Sequence, residues 1–308
     1  MSSQNQLKIV NNSPNHLVGV GLRHTHFHDA LEDKNTLDFI EVHTENFFAE
    51  GGMANVMLEA ISERYRLSFH GTAMGLGSVD GIDQAYLKKL SRLVNKFNPE
   101  FISDHASFSW VKMNGKKVHM GDLLPLPKKP QSLNVLAYNV GHVQQSLGRQ
   151  LLVENIVSYF PEEPNEMTET DFLNELVEKT GCGLLVDINN ILVNNINMKH
   201  PDPYAGVQKW LDDISADSVK ELHLAGYTPS ESENLIIDDH GQPVSSEGWA
   251  LFEYALTRFP QTATLIEWDN ALPTWSRLLQ EADKAMSLIH NHQTIKSTRH
   301  EFRHTQPR

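Results

Sequence analysis

Cysteine is nearly absent. Cys182 stands alone in 308 residues, which excludes an internal disulfide framework and any cluster of thiolate metal ligands. No apolar run reaches the roughly 18 residues that a transmembrane helix needs, so no membrane association is expected. The first stretch, Met1 to Asn15, is polar and lacks the apolar centre of a signal peptide, which points to a cytoplasmic protein. Basic residues are in deficit: 26 Lys and Arg against 39 Asp and Glu leave a formal charge of −13. That balance argues against a general nucleic-acid binder. There is also no Gly-rich phosphate fingerprint after the first β-rich run, where Gly19 and Gly21 fit close packing better than nucleotide binding.

What remains is an ordinary soluble composition, 40% hydrophobic and 21% charged, in a chain long enough for one large core. Short β-rich runs alternate with helix-period segments throughout. The strands are expected at His16–Leu22, Leu37–Val42, Arg66–His70, Phe101–His105, Gln150–Asn155, Gly183–Asp187, Ser218–Gly226 and Ala263–Glu267. Amphipathic helices are expected at Gln84–Phe97, Leu133–Leu147, Asp171–Thr180 and Trp249–Phe259, with a last one from Trp275 to about His290. Eight strand–helix units suit a closed parallel (β/α)8 TIM barrel, an α/β fold of roughly this size. An open doubly wound sheet is the competing architecture. The expected organisation is one barrel domain over residues 1–291 with a polar lead, an inserted loop at 106–130 carrying a hairpin turn at Asn114-Gly115, and a frayed basic tail at 292–308.

The chain holds 16 histidines, and their placement carries the chemistry. Strand three ends on His70, four on Asp104-His105, five on Glu154-Asn155, six on Asp187 followed by Asn189-Asn190, seven on His223 and eight on Glu267. Asp238 and His240 follow strand seven in a polar loop. A single strand-end histidine or acid is ordinarily a hydrogen-bonded structural residue. Six consecutive strands ending this way point instead to a ring at the catalytic mouth of a barrel.

Such a ring repels itself unless cations hold it together. Imidazole and carboxylate without thiolate suit Fe, Mn or Zn, and the carboxylate share leans towards Fe(II) or Mn. His70, His105, Glu154, Asp187, His223, Asp238, His240 and Glu267 are too many ligands for one ion, so two or three are expected, with Glu154 or Glu267 bridging. His24, His26 and His28 read as surface histidines at a helix start, and His43 as core or mouth alike. His119, His142, His200, His290, His292, His300 and His304 read as solvent-facing, and Cys182 as a small core residue. Arg23 suits a substrate carboxylate or a neighbouring acid equally.

The motifs Gly19-Val-Gly-Leu-Arg23, Glu41-Val-His-Thr-Glu-Asn46, Ser68-Phe-His-Gly71, Ser103-Asp-His105, Leu123-Leu-Pro-Leu-Pro127, Val186-Asp-Ile-Asn-Asn190, Glu221-Leu-His-Leu-Ala-Gly226, Asp238-Asp-His-Gly241 and Ile266-Glu-Trp-Asp-Asn270 carry a family resemblance. Together they resemble the multinuclear non-heme iron-dependent oxidases, which include the iron enzyme of methanobactin biosynthesis. The resemblance implies a xylose isomerase-like barrel holding two or three Fe(II)/Fe(III) ions, with O2 as co-substrate. It implies a ribosomally made precursor peptide as substrate, modified usually at Cys, and a separate leader-binding partner protein. Carried onto matching positions, it makes the eight residues above catalytic iron ligands and adds Asn190 as a further metal ligand. Without it, a sugar isomerase, a phosphodiester hydrolase or a non-catalytic metal binder on the same barrel remains open.

Overall fold

The computed structural model describes residues 16–34, 37–159, 165–229 and 235–304. The polar lead, Met1 to Asn15, lies outside them, as do the side chains of His300 and His304. Eight strands form the barrel: β1 (Val18–Gly21), β2 (Phe39–His43), β3 (Arg66–His70), β4 (Phe101–His105), β7 (Leu152–Glu154), β8 (Gly183–Asp187), β9 (Val219–Leu224) and β12 (Ala263–Ile266). Two hairpins interrupt that series. They are β5 (Ser107–Met113) with β6 (Lys116–Pro125), and β10 (Gly226–Thr228) with β11 (Ile237–Gln242).

Every barrel pairing is parallel, and the order β1-β12-β9-β8-β7-β4-β3-β2 closes back on β1. The closed parallel (β/α)8 barrel expected from the sequence is therefore the fold. The helices behind the strands are α1 (Phe27–Glu32), α2 (Met53–Ser62), α3 (Gln84–Phe97), α4 (Pro130–Leu147) and α5 (Glu169–Thr180). They continue as α6 (Ile188–Asn197), α7 (Pro203–Asp213), α8 (Ser246–Arg258) and α9 (Trp275–His304). α9 extends past His290 because no Pro or Gly stands between Trp275 and His304 to stop it.

Local chemistry sets the register of these units. Asp83, Thr168, Asp202 and Ser245 accept backbone N–H bonds at the starts of α3, α5, α7 and α8, which stabilises each helix by about 1 kcal/mol. β8 is buried along its whole length, as a parallel strand covered on both faces must be. At the N-terminal end of the barrel, Leu17, Phe39, Ala263 and Leu265 form an apolar plug, with Phe101 edge-on to Phe39 at 5.8 Å. That plug separates the barrel interior from a depression of about 640 Å3 outside it at the same end, lined by Leu17, Phe101 and Ala263 among others.

The inserted loop at 106–130 is mostly the β5–β6 hairpin, and its turn falls at Asn114 (φ 50°) and Gly115 (φ 77°), the left-handed pair of a two-residue turn. The second hairpin corrects an expectation. Asp238 and His240 sit on a paired strand, β11, and not in an irregular loop. Gly226 begins β10 against the carbonyls of Gln242 and Pro243, so close that a Cβ there has no room. That approach folds β11 back over the mouth.

Candidate metal centre

Side chains two apart on a strand point to the same face, and here that face is the barrel interior. Ser68 and His70, Ser103 and His105, Glu41 and His43, and Glu221 and His223 each form such a pair. The upper member of each pair stands at the mouth and the lower member one layer beneath.

At the mouth, His70 and His105 are aimed by partners on their Nδ1 atoms. His70 Nδ1 lies 2.7 Å from Ser103 Oγ, and His105 Nδ1 lies 3.1 Å from the Gly71 carbonyl. Both Nε2 atoms then face one oxygen, Glu154 Oε2, at 3.3 and 3.2 Å. The other oxygen, Glu154 Oε1, lies 3.7 Å from His223 Nδ1, which lies 2.9 Å from Glu267 Oε2. Two ligand groups result: His70, His105 and Glu154, and Glu154, Asp187, His223 and Glu267, all buried. Glu154 belongs to both.

The third sector comes from β11. His240 has φ 45°, a left-handed backbone costing about 1 kcal/mol or more in a non-glycine residue. Its carbonyl accepts the N–H of Asp269 at 2.9 Å. So held, its Nε2 lies 2.8 Å from Asp238 Oδ1 and 3.9 Å from Asp187 Oδ2, and its Nδ1 lies 3.3 Å from Glu267 Oε2. Asp187 also caps α6: its Oδ1 accepts Asn190 N–H at 2.7 Å, while Oδ2 has no hydrogen-bond partner among the described residues. Asn155 and Asp187 lock the two strand ends together through Asp187 N–H to Asn155 Oδ1 at 2.9 Å.

All nine residues expected at the site are thus brought together. Asn190, His70, His105, Glu154, Asp238, His240 and Glu267 line a cavity of about 210 Å3, and Asp187 and His223 lie buried beside it. The arrangement fits metal ions by an observation of its own. Glu154 Oε2, Asp187 Oδ2, Asn190 Oδ1, His223 Nε2 and His240 Nε2 are all buried and make no well-directed hydrogen bond among the described residues, and buried polar atoms left so are costly. Of these, His240 Nε2 and Glu154 Oε2 have ion-pair neighbours. Four of the five belong to the cluster that faces the mouth; His223 Nε2 instead faces Glu41 Oε2 at 3.4 Å.

The electrostatics agree. Burial pushes the Glu154 carboxyl up to about 8 and that of Asp187 up to about 7. Burial works against protonation of His105, yet the charges of Glu154 and Asp104 hold it up at about 9. His223 and His240 are likewise raised well above the usual imidazole range, against burial, by Glu41 and Asp238 respectively and by Glu267. The same carboxylates that favour protons on these rings favour a divalent cation in their place, so metal binding here releases protons.

Three histidines, His26, His142 and His292, are more buried than expected, and the other described ones lie as read. His26, read as a surface residue, is buried: its Nε2 meets the Pro273 carbonyl at 2.9 Å and its ring lies 5.8 Å from that of Trp275. His24 and His28 are exposed. His43 belongs to the mouth. His142 and His292 are half-buried, while His119, His200 and His290 are exposed. Arg23 pairs with acids: Asp269 accepts from its guanidinium, and Glu267 Oε1 lies at 3.8 Å. Cys182 is buried, and burial pushes its thiol up to about 11.

Two carboxylates went unassigned in the sequence. Glu41 and Glu221, both fully buried, face His223 from below. The signal that finds them is the two-residue spacing to His43 and His223 on the same strands.

Residues 17–290 match the family described as RiPP precursor modification enzyme MbnB/TglH/ChrH. The chain belongs to this family. It is 38% identical over 274 residues to a UPF0276 protein of Psychromonas ingrahamii, covering 88% of this chain and 93% of that one. Among solved structures, the MbnB/TglH/ChrH chain resembles a xylose isomerase-like TIM barrel protein from Mycobacterium smegmatis, in complex with magnesium. The TM-score is 0.53 at 13% identity, over 87% of this chain and 88% of that one. Endonuclease IV from Thermus thermophilus gives a TM-score of 0.54 at 14% identity, over 90% of this chain and 99% of that one. These two likenesses establish the xylose isomerase-like barrel as the fold. Membership of this family makes the chain an enzyme of the precursor-modifying class. No helix among the described residues is long and apolar enough to cross a membrane.

Proposed function

We propose that this MbnB/TglH/ChrH member is a multinuclear iron-dependent oxidase that uses O2 to modify a residue, Cys, of a ribosomally made precursor peptide presented by a leader-binding partner protein. The observation that carries the reading is Glu154, whose two oxygens join two buried ligand groups at the mouth of the barrel. His70, His105 and Glu154 would hold one ion, and Glu154, Asp187, His223 and Glu267 a second. Asn190, Asp238 and His240 would hold a third. When bound, redox-active iron supplies a path for electrons from the peptide to O2.

The chain's own residues shape what reaches that centre. Ile156, Val157 and Leu123 give the cavity an apolar side that excludes water. A cavity of about 210 Å3 suits one peptide side chain better than a large ligand. His43 Nε2 lies 3.0 Å from the Arg23 guanidinium, which can only donate, so the proton of the neutral ring sits on Nδ1. Burial and the Arg23 charge both lower the His43 pKa, which keeps that ring neutral, with its Nδ1–H left as a donor at the edge of the cavity.

Purified iron-loaded protein, incubated with its cognate peptide and partner, should change the peptide mass in air and leave it unaltered under strict anaerobiosis. Hydrolysis or isomerisation on the same barrel needs no O2, so identical mass spectra under both atmospheres would overturn the oxidase reading.

A further inference from the structure

The β5–β6 hairpin stands beside the mouth as a separate two-stranded sheet. The outer side of β5 is already used: Gly77 N–H donates to the Ser107 carbonyl at 2.7 Å, and the Trp110 indole N–H to the Ala73 carbonyl at 2.7 Å. β6 pairs with β5 alone among the described residues, and Lys116 to Asp122 are exposed. In a hairpin closed by a two-residue turn, the pair flanking the turn is hydrogen-bonded and the pairs alternate thereafter. With Met113 opposite Lys116, Lys117 and His119 direct their backbone N–H and C=O groups outward. An exposed edge of this kind is open to pairing with another strand, and its lysines bar unselective partners.

The side chains add two features. Met113 (55% exposed), Val118 (39%) and Met120 (43%) share one face of the hairpin with Lys116, which stands opposite Met113, while Lys112 and Lys117 stand on the other face. Between Ser107 and Lys129 the sequence carries five lysines and one acid, Asp122, within a chain of net charge −13. Lys117 is partly engaged, 3.8 Å from Asp83 and 5.0 Å above the Trp110 ring. Finally, the edge leads somewhere: Asp122 and Leu123 of the same strand line the metal-centre cavity. From Lys117 to Asp122 is about 16 Å of extended chain.

We propose that the outer edge of β6 binds an extended acidic segment of the peptide substrate as an added strand and so delivers the adjoining residues to the mouth. The inference rests on the peptide-modifying reading above. A backbone edge recognises backbone, the exposed Met and Val side chains accept alternate apolar residues, and the lysines favour acidic ones between them.

The test uses the full metal-loaded chain and a fluorescein-labelled peptide of about twelve alternating Glu and Val residues, with binding read by fluorescence polarisation. The wild type should bind. His119→Pro, which removes one outward N–H, and the charge reversal Lys112→Glu with Lys116→Glu should each weaken binding about tenfold or more, with circular dichroism showing the fold intact. His240→Ala, at the mouth, should bind the probe as the wild type does. Unchanged binding in both hairpin variants overturns the proposal. So does equal binding of a Lys/Val peptide, of single-stranded DNA or of phosphatidylserine vesicles through the same residues. The two readings fail separately. Probe binding that depends on β6, in an enzyme indifferent to O2, removes the oxidase and keeps the edge. O2-dependent modification with probe binding indifferent to β6 does the reverse.

Discussion

Replacing Glu154 with alanine should lower the metal content of the reconstituted protein by about two ions per chain. Among the described residues, no other side chain belongs both to the His70–His105 group and to the Asp187–His223–Glu267 group. Its Oε2 is the common neighbour of two imidazole Nε2 atoms, and its Oε1 faces His223. Without it, the first position keeps two neutral nitrogens and no charge-compensating oxygen, which is a weak site for a hard divalent ion. The barrel itself should survive, because β7 is held by pairing to β4 and β8 and by Leu152 and Val153 in the core. Glu154→Gln isolates charge from shape. It should lose metal as the alanine variant does, while keeping the side chain's volume, so that the metal-free protein stays folded. Metal analysis per chain and a thermal melt check both parts; wild-type metal content in Glu154→Ala would remove Glu154 from the centre.

Stripping the metal should make stability fall as pH rises, by on the order of 10 °C in Tm between about pH 7 and about pH 9. Glu154 at about 8 and Asp187 at about 7 lie well above ordinary carboxylates because burial disfavours their charged forms. A group whose pKa is higher in the folded state favours folding while protonated, and that contribution vanishes as pH climbs through the folded value. His105, held up at about 9 by Glu154 and Asp104 against the effect of burial, acts in the same direction. His70 and His43 are shifted down, chiefly by burial. Their opposite contribution is complete once the pH passes their unfolded value near 6.5, below the chosen window. The loaded protein should show the contrary trend, because ligand deprotonation strengthens metal binding. A stripped protein whose Tm holds or rises across this window contradicts the electrostatics described here.

The barrel was legible because its strands announce themselves twice, by β-branched runs and by ligand-type residues at their C-terminal ends. The site followed from the same ends, since strand polarity alone sends His70, His105, Glu154, Asp187, His223 and Glu267 to one mouth. Other parts were hidden for physical reasons. α6 reads Ile-Asn-Asn-Ile-Leu-Val-Asn-Asn-Ile-Asn, a composition that suggests a loop; its Asn189 and Asn190 are buried against Asp238 and the Asn155 carbonyl. β11 is too polar to look like a strand, and its pairing depends on the close approach at Gly226. The burial of His26 depends on Pro273 and Trp275, far along the chain, which no local pattern reports. Glu41 and Glu221 escaped because attention to strand ends passes over the layer below.

The most direct test of the centre is the number of metal ions per chain after anaerobic reconstitution with iron and removal of loosely bound ions. Ligand groups sharing Glu154, with a further sector from Asp238 and His240, predict two or three. Less than one ion per chain would contradict a multinuclear site at the mouth of this barrel.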